Sequence, residues 1–425
     1  MINPVDEQAE INGRREAILL TIAAFFVLTT AVNFSLVNTG QLSFQHLWTP
    51  LLWLLLTSVA YFLLRHAKPL HDPYLLPIFA LLTGWGLLLI DRLAVNFLLR
   101  QMIWVGLGTA VFVAIAILPT TLRPLQQYRY SWLVGGLLLL GATLLLGVNP
   151  SGFGAAQWLP IPFTGGVFFQ PSELLKLLLV IFLASYFHER DMLLRVSSVR
   201  VVLPYLAPLL LMWGFCIILL VWQRDLGAAT LFFILFLGQL YLATGNRYYV
   251  LGGFVMLLLA AVLGYFAFDV VALRVNAWWN PWPDFDDRAF QIVQSLYALA
   301  AGGIMGSGIG QGFPDYIPVV HSDFAFAAIA EEWGLIGSLS IVACFALLAY
   351  RGLRIGMLAK RPFATYLATG ITILFSAQAF LIMGGVTKLL PLTGVTLPFV
   401  SYGGSSLLIS SIMAGLLLFL SAEEV

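Results

Sequence analysis

Long apolar runs alternate with short polar segments along this chain, a pattern typical of a protein that crosses a bilayer many times. A membrane-spanning helix needs about 20 mostly apolar residues. Twelve runs approach or exceed that length, centred in residues 17–38, 47–65, 74–91, 101–119, 131–148, 172–188, 202–221, 225–243, 249–270, 323–350, 364–386 and 405–421. The pattern therefore predicts an all-α polytopic membrane protein with about twelve transmembrane helices.

Basic residues gather in alternate connections between these runs. Fourteen Lys or Arg residues lie in the segments on the side of the N-terminus: Arg14, Arg15, Arg65, Lys68, Arg123, Arg129, Arg190, Arg195, Arg200, Arg247, Arg351, Arg354, Lys360 and Arg361. Six lie in the opposite segments: Arg92, Arg100, Arg224, Arg274, Arg288 and Lys388. Because cytoplasmic loops carry the excess of Lys and Arg, we predict that both termini are cytoplasmic.

Composition agrees with a membrane protein and excludes several function classes. The chain is 60% hydrophobic and 10% charged, whereas about 25% of the residues in soluble proteins are charged. A net charge of +1 gives no indication of a nucleic-acid partner. Both cysteines, Cys216 and Cys344, lie inside apolar runs, which argues against a disulfide framework.

Polar candidates concentrate around the three predicted outer segments, residues 149–171, 271–322 and 388–404. Asp323 follows His321 and Ser322 where the longest outer segment re-enters the bilayer. Glu331 and Glu332 lie deeper, and acids inside a membrane helix cost about 2.5–3.5 kcal/mol on insertion scales. Two interpretations stay open for the turn: Ser322 or Asp323 is only a helix N-cap, or Asp323 carries chemistry.

Three further positions have a structural and a functional interpretation. Glu173 and Lys176 are three residues apart on one helical face, so they form either a structural ion pair or a site that holds an anionic group. Asp225 either caps the helix after the tight turn at Arg224 or contributes to a site. Trp158 either anchors the uncharged outer segment at the membrane interface or contacts a ligand. No HExxH, CxxC or His cluster indicates a metal site made by the protein alone.

Five segments in this order resemble one known family: FFQPSELLK (168–176), QRDLG (223–227), FQIVQSLYALAAGGIMGSGIGQG (290–312), HSDFAFAAIAEEWGLIG (321–337) and LPFVSYGGSSLL (397–408). The chain is similar to the shape, elongation, division and sporulation family, which contains the RodA, FtsW and SpoVE proteins. The family core has ten spanning helices. The resemblance therefore implies a cytoplasmic N-terminus with two additional helices in residues 1–70, and a family domain in 71–425 with the large extracytoplasmic loop 271–322.

The resemblance implies a peptidoglycan glycosyltransferase at the outer face of the bacterial cytoplasmic membrane, serving cell-wall synthesis in elongation or division. Its substrate would be lipid II, an undecaprenyl-pyrophosphate disaccharide peptide, and its partner a class B penicillin-binding protein. The family motifs map the catalytic acid onto Asp323. They map further functional residues onto Trp158, Glu173, Lys176 and Asp225, and we add His321 and Ser322 as substrate contacts. Supporting roles fall to Glu331, Glu332, Ser401, Tyr402, Gly403 and Gly404.

Some residues depart from the family pattern. Gln157 stands where the family usually has Arg, Arg224 replaces the usual Pro, Val319 and Val320 replace a pair that contains Glu, and Ser322 replaces Thr. The lost Arg and Glu either compensate one another or mark altered substrate contacts.

The expected mechanism uses Asp323 as the base for a sugar hydroxyl. Partial desolvation would raise its pKa toward working pH. Lys176, Arg224 and a divalent cation, Mg²⁺ or Mn²⁺, are the candidates to offset the pyrophosphate charge. Two alternatives stay open: a flippase or other transporter of lipid-linked precursors, and a scaffold without catalytic activity that recruits a penicillin-binding protein.

Overall fold

The computed structural model describes residues 4–149, 156–162, 166–196, 199–287 and 289–423. Part of the uncharged outer segment (150–155 and 163–165) and Arg288, one of the predicted outer cations, lie outside the described residues.

All twelve predicted runs coincide with long helices. These are α1 (Pro4–Thr39), α2 (Phe44–Ala67), α3 (Leu75–Leu93), α4 (Val95–Ile117), α6 (Arg129–Leu146), α7 (Pro171–Val196), α8 (Val199–Trp222), α9 (Leu226–Thr244), α10 (Arg247–Ala267), α13 (Ala325–Leu358), α14 (Pro362–Val386) and α15 (Gly404–Glu423). Among the described residues, eleven are long and apolar enough to span a membrane, and α8 adds the shorter apolar stretch Ala207–Trp222. The prediction of an all-α polytopic membrane protein is therefore confirmed.

The shorter elements lie in the connections. A five-residue helix, α5 (Arg123–Gln127), precedes α6, while α11 (Asp269–Trp279) and α12 (Phe290–Gly302) fold within the longest predicted outer segment. The sole described strands, β1 (Leu159–Pro160) and β2 (Phe168–Phe169), form an antiparallel pair in which Leu159 faces Phe169. The apolar-run criterion misses these elements because none is long enough to span.

Four helices form the centre of the bundle and α10 lies at its edge. Most residues in the apolar windows of α3, α7, α14 and α15 are buried, whereas only 6% of the α10 window is buried. α10 packs on α9 and α11. A helix with almost no buried face in an apolar sequence is suited to contact lipid along most of its surface.

Both chain ends meet at one end of the bundle, here called the terminal end. His71, between α2 and α3, lies with its Nε2 2.9 Å from Oε1 of Glu16 on α1. The neighbouring Asp72 accepts from Arg351 of α13, and its backbone N–H donates to Ser421 Oγ of α15 over 3.0 Å. α1 begins at Pro4, before the apolar run that starts at residue 17, and this polar extension includes the buried Glu16.

The first two helices are also fastened at the opposite end, here called the site end. His46 of α2 lies with Nδ1 2.9 Å from Oδ2 of Asp91 on α3, and both side chains are 3% exposed. Asn38 of α1 lies 3.2 Å from the other ring nitrogen of His46. Polar pairs buried at both ends therefore fix α1 and α2 against the rest of the bundle.

A break divides α13 at Gly334, whose φ of 66° lies in the left-handed region. The segment 302–308 runs alongside and replaces the interrupted helical hydrogen bonds. Ser307 N donates to Glu331 O over 2.9 Å, and Leu335 N donates to Gly303 O over 2.9 Å. The Gly-rich segment and α13 therefore form one hydrogen-bonded unit below the site end.

Candidate functional site

Asp323 lies in the turn that leads into α13 and does not cap that helix. Phe324 is the N-cap residue, and among the described residues no side chain caps α13. The Ser322 hydroxyl donates to Oδ1 of Asp323. The Asp323 carboxylate therefore accepts no capping hydrogen bond from the backbone of α13, in contrast to the capping interpretation.

The connection between α14 and α15 holds this turn in place. Ser401 Oγ donates to the Ser322 carbonyl over 2.6 Å and accepts from Leu397 N over 3.0 Å. Tyr402 N donates to the His321 carbonyl over 2.8 Å. At Gly404, an added Cβ would lie 2.2 Å from the Trp104 ring, so this close approach of α15 to α4 requires glycine. Ser401 and Tyr402 thus fix the backbone on which Asp323 is carried.

Arg274 of α11 faces Asp323 across the same connection. Its Nη1 donates to the Thr393 carbonyl over 3.0 Å, and Trp278, one helical turn later, donates from Nε1 to the Lys388 carbonyl over 3.1 Å. An ideal Cβ on Gly394 would lie 3.3 Å from Arg274 Nη2 and 3.7 Å from Asp323 Oδ2. Both side chains therefore converge on Gly394.

From the sequence alone, Arg274 is one of six outer cations. The signal that could have found it is its position as the single cation of the mostly apolar and aromatic stretch DVVALRVNAWW. Arg274 and Trp278 share a helix face because they are four residues apart.

Asp225 lies in the tight turn that ends α8 and begins α9. Arg224 N donates to Val221 O, and Asp225 N donates to Leu220 O, which is the Schellman pattern at a helix C-terminus. Arg224 takes the left-handed position with φ 60°, a conformation closed to the Pro that the family usually has there. Asp225 then caps α9 by accepting from Ala228 N over 3.1 Å.

Glu173 and Lys176 form a buried pair beside Asp225. Lys176 Nζ donates to Glu173 Oε1 over 2.7 Å and to Gln378 Oε1 over 3.1 Å. The Lys176 side chain is only 2% exposed. Gln378 in turn donates to the Thr396 carbonyl over 2.7 Å, so this pair is tied to the same connection that holds Arg274.

The charges of these groups affect one another. Burial raises the pKa of Asp323, while the Ser322 hydrogen bond and the Arg274 charge oppose that rise. Burial also raises the pKa of Asp225, against the Ala228 hydrogen bond and the Lys176 charge. Burial lowers the pKa of Arg274, and the charges of Asp323 and Asp225 act in the opposite direction. Arg274 thus lies within electrostatic reach of both aspartates.

His321 contributes an aromatic wall rather than a charge. Its ring centroid lies 5.3 Å from Phe97 and 5.8 Å from Tyr402, and the Phe97 and Tyr402 rings stack at 4.7 Å. Burial lowers the pKa of His321, so the imidazole is neutral at pH 7.

Trp158 lies on a separate hairpin. Its backbone pairs with Val148 in both directions, at 2.8 and 3.2 Å, directly before β1. Gln157 precedes it and is partly buried. The backbone of Trp158 is thus held against Val148, and its contact with a ligand stays a prediction.

Glu331 and Glu332 bind the Gly-rich segment instead of the cluster. Glu331 Oε1 accepts from Phe313 N over 2.7 Å, and Glu332 Oε1 accepts from Gly310 N over 3.2 Å. Arg92 of α3 donates to the same Glu332 oxygen over 3.1 Å and also pairs with Asp315. Both glutamates therefore hold residues 310–315 against α13.

Across the described residues, no group of three or more His, Cys, Asp or Glu side chains converges as a protein-made metal site requires. A Mg²⁺ ion is often held by one or two carboxylates together with substrate phosphates, so a divalent cation at this site would need a phosphorylated ligand to complete its coordination.

Most of the chain is similar in sequence to known proteins. The family model for cell cycle proteins of the FtsW, RodA and SpoVE type matches residues 75–425. Peptidoglycan glycosyltransferase RodA of Mycobacterium leprae is 35% identical over 423 residues, covering 95% of this chain and 90% of that protein. Probable peptidoglycan glycosyltransferase FtsW of Geobacter metallireducens is 36% identical, covering 77% of this chain and 85% of that protein.

The fold is similar to that of a solved protein. A chain from a structure on the coordination of polymerization and crosslinking by a peptidoglycan synthase complex superposes with a TM-score of 0.69 at 27% identity. The superposition covers 98% of that chain but 83% of this one. The chain described here is therefore longer than its solved counterpart.

Proposed function

The chain belongs to the FtsW, RodA and SpoVE family, and we propose from that premise that it is a peptidoglycan glycosyltransferase that polymerises lipid II into glycan strands. The observation that carries the proposal is the environment of Asp323. Its carboxylate leaves α13 uncapped, lies near Gly394 opposite Arg274, and is held by a backbone turn anchored at Ser401. A family match joined to a preorganised acid supports catalysis over a purely structural role.

The reaction joins two lipid-linked sugars. The acceptor hydroxyl oxygen forms a bond to the anomeric carbon of the donor, the bond from that carbon to the pyrophosphate oxygen breaks, and the pyrophosphate leaves with the bond electrons. Asp323 accepts the hydroxyl proton. Because burial raises the pKa of Asp323, its carboxylate is a stronger base than an exposed aspartate while Arg274 still favours the ionised form.

The neighbouring residues support binding and orientation in this proposal. His321, with Phe97 and Tyr402, offers a neutral aromatic wall on which a sugar ring packs, and Ser322 orients the carboxylate through its hydrogen bond. Trp158 contacts substrate from its hairpin at the rim. Asp225, Lys176 and Glu173 line the buried part of the site in this proposal. The charge of Lys176 is balanced there, since Lys176 is buried against Glu173 and Gln378.

Glu331, Glu332, Ser401, Tyr402, Gly403 and Gly404 have positioning roles. A divalent cation, Mg²⁺ or Mn²⁺, would neutralise pyrophosphate charge when bound together with the substrate. Arg224, exposed in the α8–α9 turn, is a further candidate to offset pyrophosphate charge.

The proposed location is the bacterial cytoplasmic membrane, with the site end on the extracytoplasmic side and both termini in the cytoplasm. The excess of Lys and Arg in the segments on the side of the N-terminus supports this orientation. A class B penicillin-binding protein is the proposed partner, because the similar solved chain belongs to a complex that coordinates polymerization and crosslinking.

The direct test is polymerisation of fluorescent lipid II by purified protein, with and without a class B penicillin-binding protein, read out as a ladder of glycan products. We expect Asp323→Asn to lose polymerisation by at least about a hundredfold while it keeps the wild-type melting temperature. Asp286→Asn removes an exposed acid from the same outer connection and is expected to retain full activity.

Other outcomes would contradict the proposal. Full polymerisation by Asp323→Asn would remove this acid from the mechanism. Translocation of labelled lipid II in vesicles without polymer would favour a transporter. Partner binding without polymer from the wild-type protein, in every lipid composition, would favour a scaffold.

A further inference from the structure

We propose that Arg274 is a positioning residue for the reaction: it fixes the Asp323 carboxylate in its reactive, ionised form from across the α14–α15 connection. This inference rests on the proposed function. It adds a residue that was absent from the motifs that carry the family resemblance.

The position of Arg274 is determined by its own helix. Trp278 and Arg274 both donate to backbone carbonyls of the α14–α15 connection, at Lys388 and Thr393. These two bonds hold one face of α11 against the stretch from Lys388 to Thr393. The guanidinium therefore lies beside Gly394, with Nη1 bonded to the Thr393 carbonyl and Nη2 3.3 Å from the position of a Cβ on Gly394.

Gly394 is the residue that lets the two groups approach. Its φ of 72° is in the left-handed region, where glycine is favoured. An added Cβ would lie between Arg274 Nη2, at 3.3 Å, and Asp323 Oδ2, at 3.7 Å. The absence of a side chain at Gly394 thus leaves room beside the guanidinium and the carboxylate, and a larger residue there would fill that room.

The other charged or titratable groups around Asp323 do not replace Arg274. Lys176 of α7 is neutralised by Glu173, and Asp225 at the start of α9 is itself an acid. His321 is neutral because burial lowers its pKa, and Tyr402 has a pKa raised by burial. Of the charges that act on Asp323, the one that favours its ionised form comes from Arg274.

The experiment measures the dependence of kcat/KM on pH with fluorescent lipid II in the full-length protein. Removing the positive charge raises the pKa of Asp323 further. The acidic limb, which is the fall of kcat/KM at low pH as Asp323 becomes protonated, therefore moves to higher pH. For Arg274→Gln we expect a shift of about one pH unit, the size that a neighbouring opposite charge typically produces, together with a loss in kcat and little change in KM. Arg274→Lys keeps the charge and should return the limb toward the wild-type position.

Lys388→Gln is the matched control. It removes a cation from the same connection, and its side chain is partly exposed. Its acidic limb should coincide with that of the wild type.

A second measurement applies if Arg274→Gln fails to fold. Arg274→Ala leaves a space at the guanidinium position, and added guanidinium ion should restore kcat and the position of the acidic limb in a saturable manner. The proposal would be overturned if a folded Arg274→Gln protein kept the acidic limb of the wild type, whether or not its KM rises. Absence of polymer from wild-type protein would instead overturn the proposed function, so the two failures are distinguishable.

Discussion

Arg92 and Glu332 are joined across the interior of the bundle, with Nε of Arg92 3.1 Å from Oε1 of Glu332. They are separated by 240 residues in the sequence, and Arg92 also binds Asp315 and the Gly312 carbonyl. One cation of α3 thus ties the break in α13 to the Gly-rich segment.

Loss of this cation should destabilise the protein. Arg92→Met leaves the Glu332 carboxylate buried without its partner, and breaking a buried pair in this way costs about 3–5 kcal/mol. We expect a clear fall in the melting temperature in detergent. Arg92→Met combined with Glu332→Gln should recover part of the loss, and an unchanged melting temperature in the single variant would show that the pair does not hold this region.

Gly302 should not tolerate a side chain. An added Cβ would lie 1.9 Å from the Ala330 carbonyl oxygen, which is backbone and cannot rotate away. Gly302→Ala should therefore lower the free energy of unfolding by about 3 kcal/mol, at the upper end for overpacking. Gly252→Ala is the control: in the described part of the chain an added Cβ there meets no atom within 4 Å, and alanine should raise helix stability slightly. Equal melting temperatures for the two variants would contradict the contact.

Stability should fall as pH rises past the ordinary pKa of histidine because of His71. Burial alone lowers the pKa of His71, but the hydrogen bond to Glu16, the Glu16 charge, the Lys68 carbonyl and the Asp72 charge together outweigh burial and raise the pKa above 6.5. A raised folded-state pKa gives stabilisation that is complete below pH 6.5 and is lost as pH rises through the folded-state pKa. Unfolding measured between pH 6 and 8 should show this decline, and His71→Gln should flatten it.

Variants of the buried Lys176–Glu173 pair should affect stability and activity differently. Lys176→Met leaves Glu173 without its cation and should strongly lower the melting temperature. Adding Glu173→Gln should recover much of the stability, but polymerisation should stay low because the positive charge near Asp225 is gone. A stable double variant with full activity would assign the pair a structural role alone.

The spanning helices could be predicted from sequence because lipid requires long apolar runs with internally satisfied backbones. The predicted run 74–91 corresponds to the helix Leu75–Leu93, and the predicted run 364–386 corresponds to the helix Pro362–Val386. The same criterion could not reveal the break at Gly334, since the apolar pattern continues through it and the replacement hydrogen bonds come from residues near 303.

The candidate site was predictable only in part. Asp323 was identified from its motif, but whether it capped α13 depended on backbone angles that the sequence does not show. Arg274 lies 49 residues before Asp323 in the chain, and the two side chains approach each other only beside Gly394 of the α14–α15 connection. An arrangement that depends on three distant segments leaves no local pattern at any of them.

The break in α13 also bears on how the protein enters the membrane. At the break, Leu335 and Ile336 donate their backbone N–H groups to Gly303 and Ile304. Unpaired backbone groups in hydrocarbon cost several kcal/mol each. α13 therefore cannot partition into lipid as an autonomous helix at low cost. We therefore expect α13 to pair with the Gly-rich segment before its break is exposed to lipid.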